Sequence, residues 1–219
     1  MIDERINAMI NFVAKGSRVA DIGADHGYLS IFLAKTGRAD FIVATDKNAG
    51  PLDAARKNIN AAGFDGLIET RLGDGLQILR VGEVNTVCIG GMGGALICQI
   101  LDDAPKVLDS VEDLILQPMN AADKVKIYLT EKNFYIADID LAAAGGIIYE
   151  IIFASRNAEK ISTRKKIETS PLREKYLSLK KEKLQRVLAE MSKSPAAMSS
   201  EKYLQLKNKL HEMNGKSPL

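Results

Sequence analysis

The sequence predicts an α/β fold in which an open sheet of five parallel strands is closed by an antiparallel hairpin and followed by a separate helical hairpin. Three observations carry this. Short apolar runs alternate with helical periodicity between residues 18 and 132, the pattern of repeated strand-to-helix crossovers. Two further apolar runs, Phe134 to Leu141 and Ile147 to Phe153, are joined by a short Ala/Gly linker, which suits a hairpin and is too short for a crossover. Beyond Arg156 glycine almost disappears and lysine-rich helical periodicity takes over.

Taken in order, Ile6, Met9, Ile10 and Val13 recur at helical spacing, so the chain opens with a short amphipathic helix. Arg18 to Ile22 is the first strand, closing on a turn bracketed by Gly23 and Gly27, and Tyr28 to Lys35 is the first crossover helix. Asp40 to Thr45 is the second strand, ending on Asp46. Gly50-Pro51 starts the next helix, because proline's missing N–H costs nothing in a first turn, and Gly63 ends it. Leu67 to Arg71 is a short third strand followed by Gly73-Asp74-Gly75. Val84 to Ile89 is apolar enough to be buried on both faces, as parallel strands are. Gly90-Gly91-Met92-Gly93-Gly94 separates it from a helix over Ala95 to Leu101. Leu114 to Leu116 forms the fifth strand, ending at Gln117-Pro118-Met119-Asn120, with a helix from Ala121 to Lys132 after it. In the tail, one apolar stripe passes through Leu177, Leu184, Val187 and Met191 and another through Tyr203, Leu206, Leu210 and Met213. Ser194-Pro195 lies between them, and two helices folded back as a coiled-coil-like pair would bury both stripes. The expected domains are 1–156 and 157–219.

Apolar residues make up 46% of the 219, enough for a substantial core. No run approaches the roughly 18 apolar residues of a membrane span, and Met1 to Arg18 mixes charges as no secretory signal does, so a cytoplasmic location is expected. Cys88 and Cys98 fall in a strand-like and a helix-like run, which predicts two buried thiols rather than a disulfide or a metal site. The net charge of +2 hides a division: residues from Arg156 onward carry +9 and the rest −7. An acidic body with a basic tail points to a polyanionic partner engaged through the tail.

In open α/β sheets ligands bind outside the carboxyl ends of the strands. The turn after the first strand lacks the three glycines that let backbone approach a dinucleotide pyrophosphate, and its Asp21 and Asp25 would repel one. They suit a cation that carries an amino group and a sulfonium. Asp21-x-Gly23-x-x-x-Gly27 is the usual first motif of enzymes that bind S-adenosylmethionine. Asp46, with Lys47 beside it, stands where a carboxylate would accept from both ribose hydroxyls, or alternatively cap the next helix. Asp74 and Gly75 could bind the adenine edge or simply form a polar turn. Gly91-Met92-Gly93 supplies backbone amides at a helix N-terminus and no acid or base. Gln117 and Asn120 add amides able to bond a base edge, or else initiate a helix. Five strand-helix units closed by an antiparallel pair are the architecture of Rossmann-like methyltransferases.

Together, Asp21-Ile22-Gly23-Ala24-Asp25-His26-Gly27-Tyr28-Leu29, Gly50-Pro51, Gly73-Asp74-Gly75-Leu76, Gly91-Met92-Gly93-Gly94, Leu116-Gln117-Pro118 and Tyr149-Glu150-Ile151 resemble the bacterial TrmK family. The resemblance runs in order from about Glu4 to Phe153 and is close in the glycine motifs. It departs at Gly27, Ala24 and Asp46, where the family commonly has Ala, Ser and Glu. It implies an S-adenosylmethionine-dependent tRNA (adenine-N1) methyltransferase acting on position 22, with a helical C-terminal domain of coiled-coil type. Asp21, Gly23, Gly27, Asp46, Lys47, Asp74, Gly75, Gly91, Met92 and Gly93 would hold the cofactor. Asp25, His26, Tyr28, Gln117 and Asn120 would form the base pocket. Neutral adenine N1 has an in-plane lone pair and no proton, so Asp25 is expected to supply negative potential, Tyr28 to pack on a ring, and His26 to act as a wall rather than a base. tRNA is the expected partner, with no membrane or metal and a monomeric protein. Two alternatives stay open: a methyltransferase of a small molecule or protein whose tail is an oligomerisation hairpin, and an RNA-binding module on a methyltransferase fold without turnover.

Overall fold

The computed structural model describes residues 3–163 and 165–215; Arg164 and the last four residues of the expected helical domain lie outside them. The chain forms α1 (Glu4–Phe12), β1 (Ser17–Ile22), α2 (Tyr28–Lys35), β2 (Ala39–Asp46), α3 (Ala49–Ala62), β3 (Ile68–Leu72), β4 (Thr86–Met92), α4 (Gly94–Asp102), α5 (Pro105–Asp109), β5 (Asp113–Pro118), α6 (Ala122–Glu131), β6 (Tyr135–Ala144) and β7 (Ile147–Ser155). The strands make one sheet in the order β3-β2-β1-β4-β5-β7-β6. Strands β1 to β5 are parallel, and β7 runs antiparallel between β5 and β6. The order reverses between β1 and β4, so the turn after β1 lies at the topological switch point.

Strand periodicity divides the core into two layers. Ala20 and Ile22 of β1 join Leu114 and Leu116 of β5 on one face, while Val19 and Ile115 join α1 and α2 on the other. Each large aliphatic side chain taken out of water there contributes about 1.5–3 kcal/mol. Local signals set several ends: the Asp3 side chain caps α1 by accepting from the Arg5 amide at 2.8 Å, and α3 stops where Gly63 turns left-handed at φ +74°.

In the sheet and its flanking helices, β4 and α5 differ from the sequence pattern. β4 continues through the glycine motif to Met92 because its edge still pairs with β5 there. The five-residue α5 has too few positions for a period to register; Pro105 sits in its first turn and Val107 and Leu108 are buried.

The chain divides into two compact units, Met1–Ile167 and Glu168–Leu219, which moves the boundary from the composition change at 156/157. The intervening segment stays with the sheet because Lys160 pairs with Glu112 at 2.6 Å and Asp113 at 2.7 Å. The Lys166 amide also donates to Asp138 at 2.8 Å. After the short α7 (Lys166–Thr169), the second unit contains α8 (Arg173–Met191), α9 (Pro195–Met198) and α10 (Glu201–Gly215), with α8 and α10 packed on each other. Its buried stripe uses Leu188, 8% exposed, where the sequence pattern had Val187, which is 37% exposed; the four-residue step from Leu184 keeps the stripe on one face. Among the described residues, no helix is long and apolar enough to cross a membrane.

Candidate functional site

A cleft of about 390 Å³ opens at the carboxyl ends of β1, β2 and β4 and at the turn after β3. Of the residues expected to hold a cofactor, Gly23, Asp46, Lys47, Asp74, Gly75, Gly91 and Met92 line it together, as does Asp25. Gly23 is favoured by its left-handed φ of +72°, which L side chains rarely adopt; a Cβ there would meet only the flexible end of Met92. The turn is tied to β2 by the Ala24 amide donating to the Thr45 carbonyl at 2.8 Å. Asp25, itself left-handed at φ +51°, donates its amide to Asp46 Oδ2 at 3.4 Å.

Asp46 is buried, and its Oδ1 accepts from the Asn48 amide at 2.9 Å. It therefore braces both the turn and the entry to α3, although the cap position itself is Asn48.

Asp21, Gly27 and Gly93 lie outside the lining. Asp21 is buried, and its Oδ2 accepts from the Ser30 hydroxyl at 2.7 Å and the Ser30 amide at 3.2 Å, so it ties β1 to the first turn of α2. Burial pushes its carboxyl up to about 6, against the Ser30 bonds, with repulsion from Asp46 adding to the rise. Gly27 begins α2 close against Ala55 of α3. Gly93 precedes α4 beside Asn120.

The expected base-pocket residues separate into two groups. His26 and Tyr28 stack with ring centroids 5.7 Å apart and planes 25° apart, and His26 Nε2 is 3.8 Å from Asp25 Oδ2. Tyr28 is 51% exposed, so these three form an accessible group beside the cleft. Gln117 is only 1% exposed; its Oε1 accepts from the Gly91 amide at 2.9 Å. Asn120 is exposed, and its Oδ1 accepts from the Gly94 amide at 3.3 Å.

Sequence reasoning missed Thr45, Asn48, Gly73, Leu96 and Ile100, which also line the cleft. Their positions at or just past strand ends, or on the first two turns of α4, were the available signal. Thr45 Oγ1 is buried and has no hydrogen-bond partner. α1 also reaches this end of the sheet: Arg5 lies 3.7 Å from Met119 Sδ and 5.4 Å over the Tyr149 ring. No motif marked that approach. Cys88 and Cys98 are free, buried thiols.

The strand order and the acidic cleft at its switch point define a Rossmann-like methyltransferase domain. Residues 2–152 match the family model described as "Methyltransferase domain". A Streptococcus pneumoniae protein, Sp1610, described as a candidate tRNA (m1A22) methyltransferase and solved in complex with S-adenosyl-L-methionine, is 31% identical, superposes with a TM-score of 0.81, and matches over 98% of each chain. The chain belongs to the TrmK family. The tRNA (adenine(22)-N(1))-methyltransferase of Bacillus subtilis is 31% identical over 153 residues, which are 70% of this chain and 64% of that protein, just under two thirds of its length. The fold is also that of the Bacillus subtilis M1A22 tRNA methyltransferase TrmK, at a TM-score of 0.80 and 24% identity over 98% of this chain and 97% of that one.

Proposed function

We propose that this chain methylates N1 of the adenine at position 22 of tRNA, using S-adenosylmethionine. The observation that carries the reading is the cleft itself: Asp25, Asp46 and Asp74 meet at the switch point of a methyltransferase fold. A diphosphate would be repelled there, whereas a ligand with a sulfonium and an ammonium gains from the negative potential. The unpartnered Thr45 Oγ1 in the same wall also fits a polar ligand.

In this reading Asp46 accepts from the ribose, Asp74 and the backbone at Gly75 hold the adenine edge, and Gly23 and Gly91 permit close approach. The bound S-adenosylmethionine supplies an electrophilic methyl group, whose carbon–sulfur bond breaks as the bond to adenine N1 forms, leaving S-adenosylhomocysteine. No proton must first be removed from N1, so the chain's task is to extrude the base and align it. Asp25 stabilises the positive charge that passes to the adenosinium, Tyr28 packs on the flipped ring, and His26 and Asn120 bound the pocket. The basic helical unit holds the RNA backbone, and the enzyme works in the cytoplasm as a monomer.

The test is methyl transfer into unmodified tRNA with adenine at position 22, compared with the same tRNA carrying another base there. Incorporation confined to the first is expected. Equal incorporation, or none into either, contradicts the proposal and leaves a different substrate or a non-catalytic binding role.

A further inference from the structure

The pairing of β4 with β5 slips at the glycine motif: Gly90 lies opposite Gln117 and Met92 opposite Pro118. Gly91 is the extra residue, left-handed at φ +73°. A bulged residue is left out of the backbone ladder, so its amide is held in place only if an acceptor outside the ladder takes it. The Gln117 side chain supplies that acceptor, its Oε1 taking the Gly91 N–H at 2.9 Å. Its other end donates to Met119 Sδ at 3.7 Å. Both polar ends are thus engaged within the protein, and almost none of the residue faces solvent.

The segment is clamped further. The Met119 amide donates to the Met92 carbonyl at 2.8 Å, and a Cβ on Gly90 would stand 3.0 Å from Met9 Sδ of α1, so the backbone fits closely under that helix. Gly90, Gly91 and Met92 all line the cleft, so the Gln117 bond fixes part of the cleft wall.

We infer that Gln117 is a positioning residue for the cofactor wall, acting through the Gly91 amide, and that it does not read the target base. This corrects the base-contact role expected from the sequence, and it rests on the methyltransferase reading above. A base-reading amide must reach the ligand, whereas Gln117 is 1% exposed, is absent from the cleft lining, and has its oxygen turned to Gly91 and its nitrogen to Met119.

Gln117→Met keeps length and packing but removes the oxygen acceptor, whereas Gln117→Glu keeps an acceptor. In the full chain, Gln117→Met should weaken S-adenosylhomocysteine binding about tenfold by calorimetry, raise KM for S-adenosylmethionine, and leave KM for tRNA within about twofold. Gln117→Glu should recover most of the lost affinity. Unchanged S-adenosylhomocysteine binding in Gln117→Met overturns the inference, whether or not turnover falls. If that variant does not fold, hydrogen exchange of the Gly91 amide in the unaltered protein decides: protection without ligand is expected, and exchange at the rate of an exposed loop amide overturns it. Failure of the unaltered protein to bind S-adenosylhomocysteine would instead sink the methyltransferase reading, with the exchange measurement still reporting on the clamp.

Discussion

Asp46 and Asp21 are both carboxylates at strand ends, and their surroundings separate their roles. Asp46 reaches the cleft while bracing the neighbouring amides of Asp25 and Asn48. Asp46→Asn should therefore weaken S-adenosylhomocysteine binding at least about tenfold in calorimetry, and an unchanged affinity would remove Asp46 from the site. Asp25→Asn should lower kcat with tRNA while tRNA affinity stays the same; full turnover would show that its charge does not stabilise the product. Asp21 faces Ser30 from α2, Cys88 from β4 and Asp46 from β2. Its carboxyl is raised from 3.8 to about 6, so the folded chain binds this proton more tightly than the unfolded one. The associated stability is fully present below the unfolded value and is lost as pH rises through about 6. Asp21→Asn removes that loss. Urea denaturation should show the variant gaining on the unaltered protein as pH rises from the unfolded value of 3.8 through about 6, by a total on the order of 3 kcal/mol, and levelling off above that. A difference independent of pH would refute the assignment.

At the scale of elements, the glycine segment after Ile89 does more than initiate a helix. Its first residues extend β4, its middle bulges against β5, and Gly94 starts α4 beneath the 120–121 backbone. A Cβ on Gly94 would lie 2.8 Å from the Asn120 carbonyl oxygen and 3.0 Å from that of Ala121. Backbone cannot give way as a flexible side chain can, so Gly94→Ala should destabilise the fold by about 1–3 kcal/mol in denaturant titration; a neutral effect would mean that the approach relaxes freely. The strands and most helices were legible because their apolar periods are long relative to their ends. α2 matches its expected span, Tyr28–Lys35. The use of Leu188 in place of Val187 in α8 was not legible, because adjacent apolar residues leave the phase of a stripe open until its packing partner is present.

Across the whole molecule, the acidic sheet unit and the basic helical unit divide the work in the proposed reaction. tRNA affinity should fall steeply with salt, since neutralised phosphates release their counterions on binding. Replacing the exposed Lys175, Lys183, Lys202 and Lys207 with Gln should weaken tRNA binding and flatten its salt dependence while leaving S-adenosylhomocysteine affinity intact. An unchanged slope would locate the RNA contact elsewhere.

By itself, the sequence determined the succession along the chain of the strands and longer helices, the acidic turn after β1, the carboxylates after β2 and β3, and the charge division, because each is written in local spacing or composition. Only the tertiary structure decided which residues meet. Asp21 turned inward to Ser30, Gln117 turned to the bulged Gly91 amide, and Arg5 reached Met119 across 114 positions of chain. Those outcomes depend on strand pairing, burial and unsatisfied backbone groups, which are properties of neighbours distant in sequence. A motif can name a carboxylate or an amide, but the partner that consumes its hydrogen bonds settles whether it is left to face a ligand.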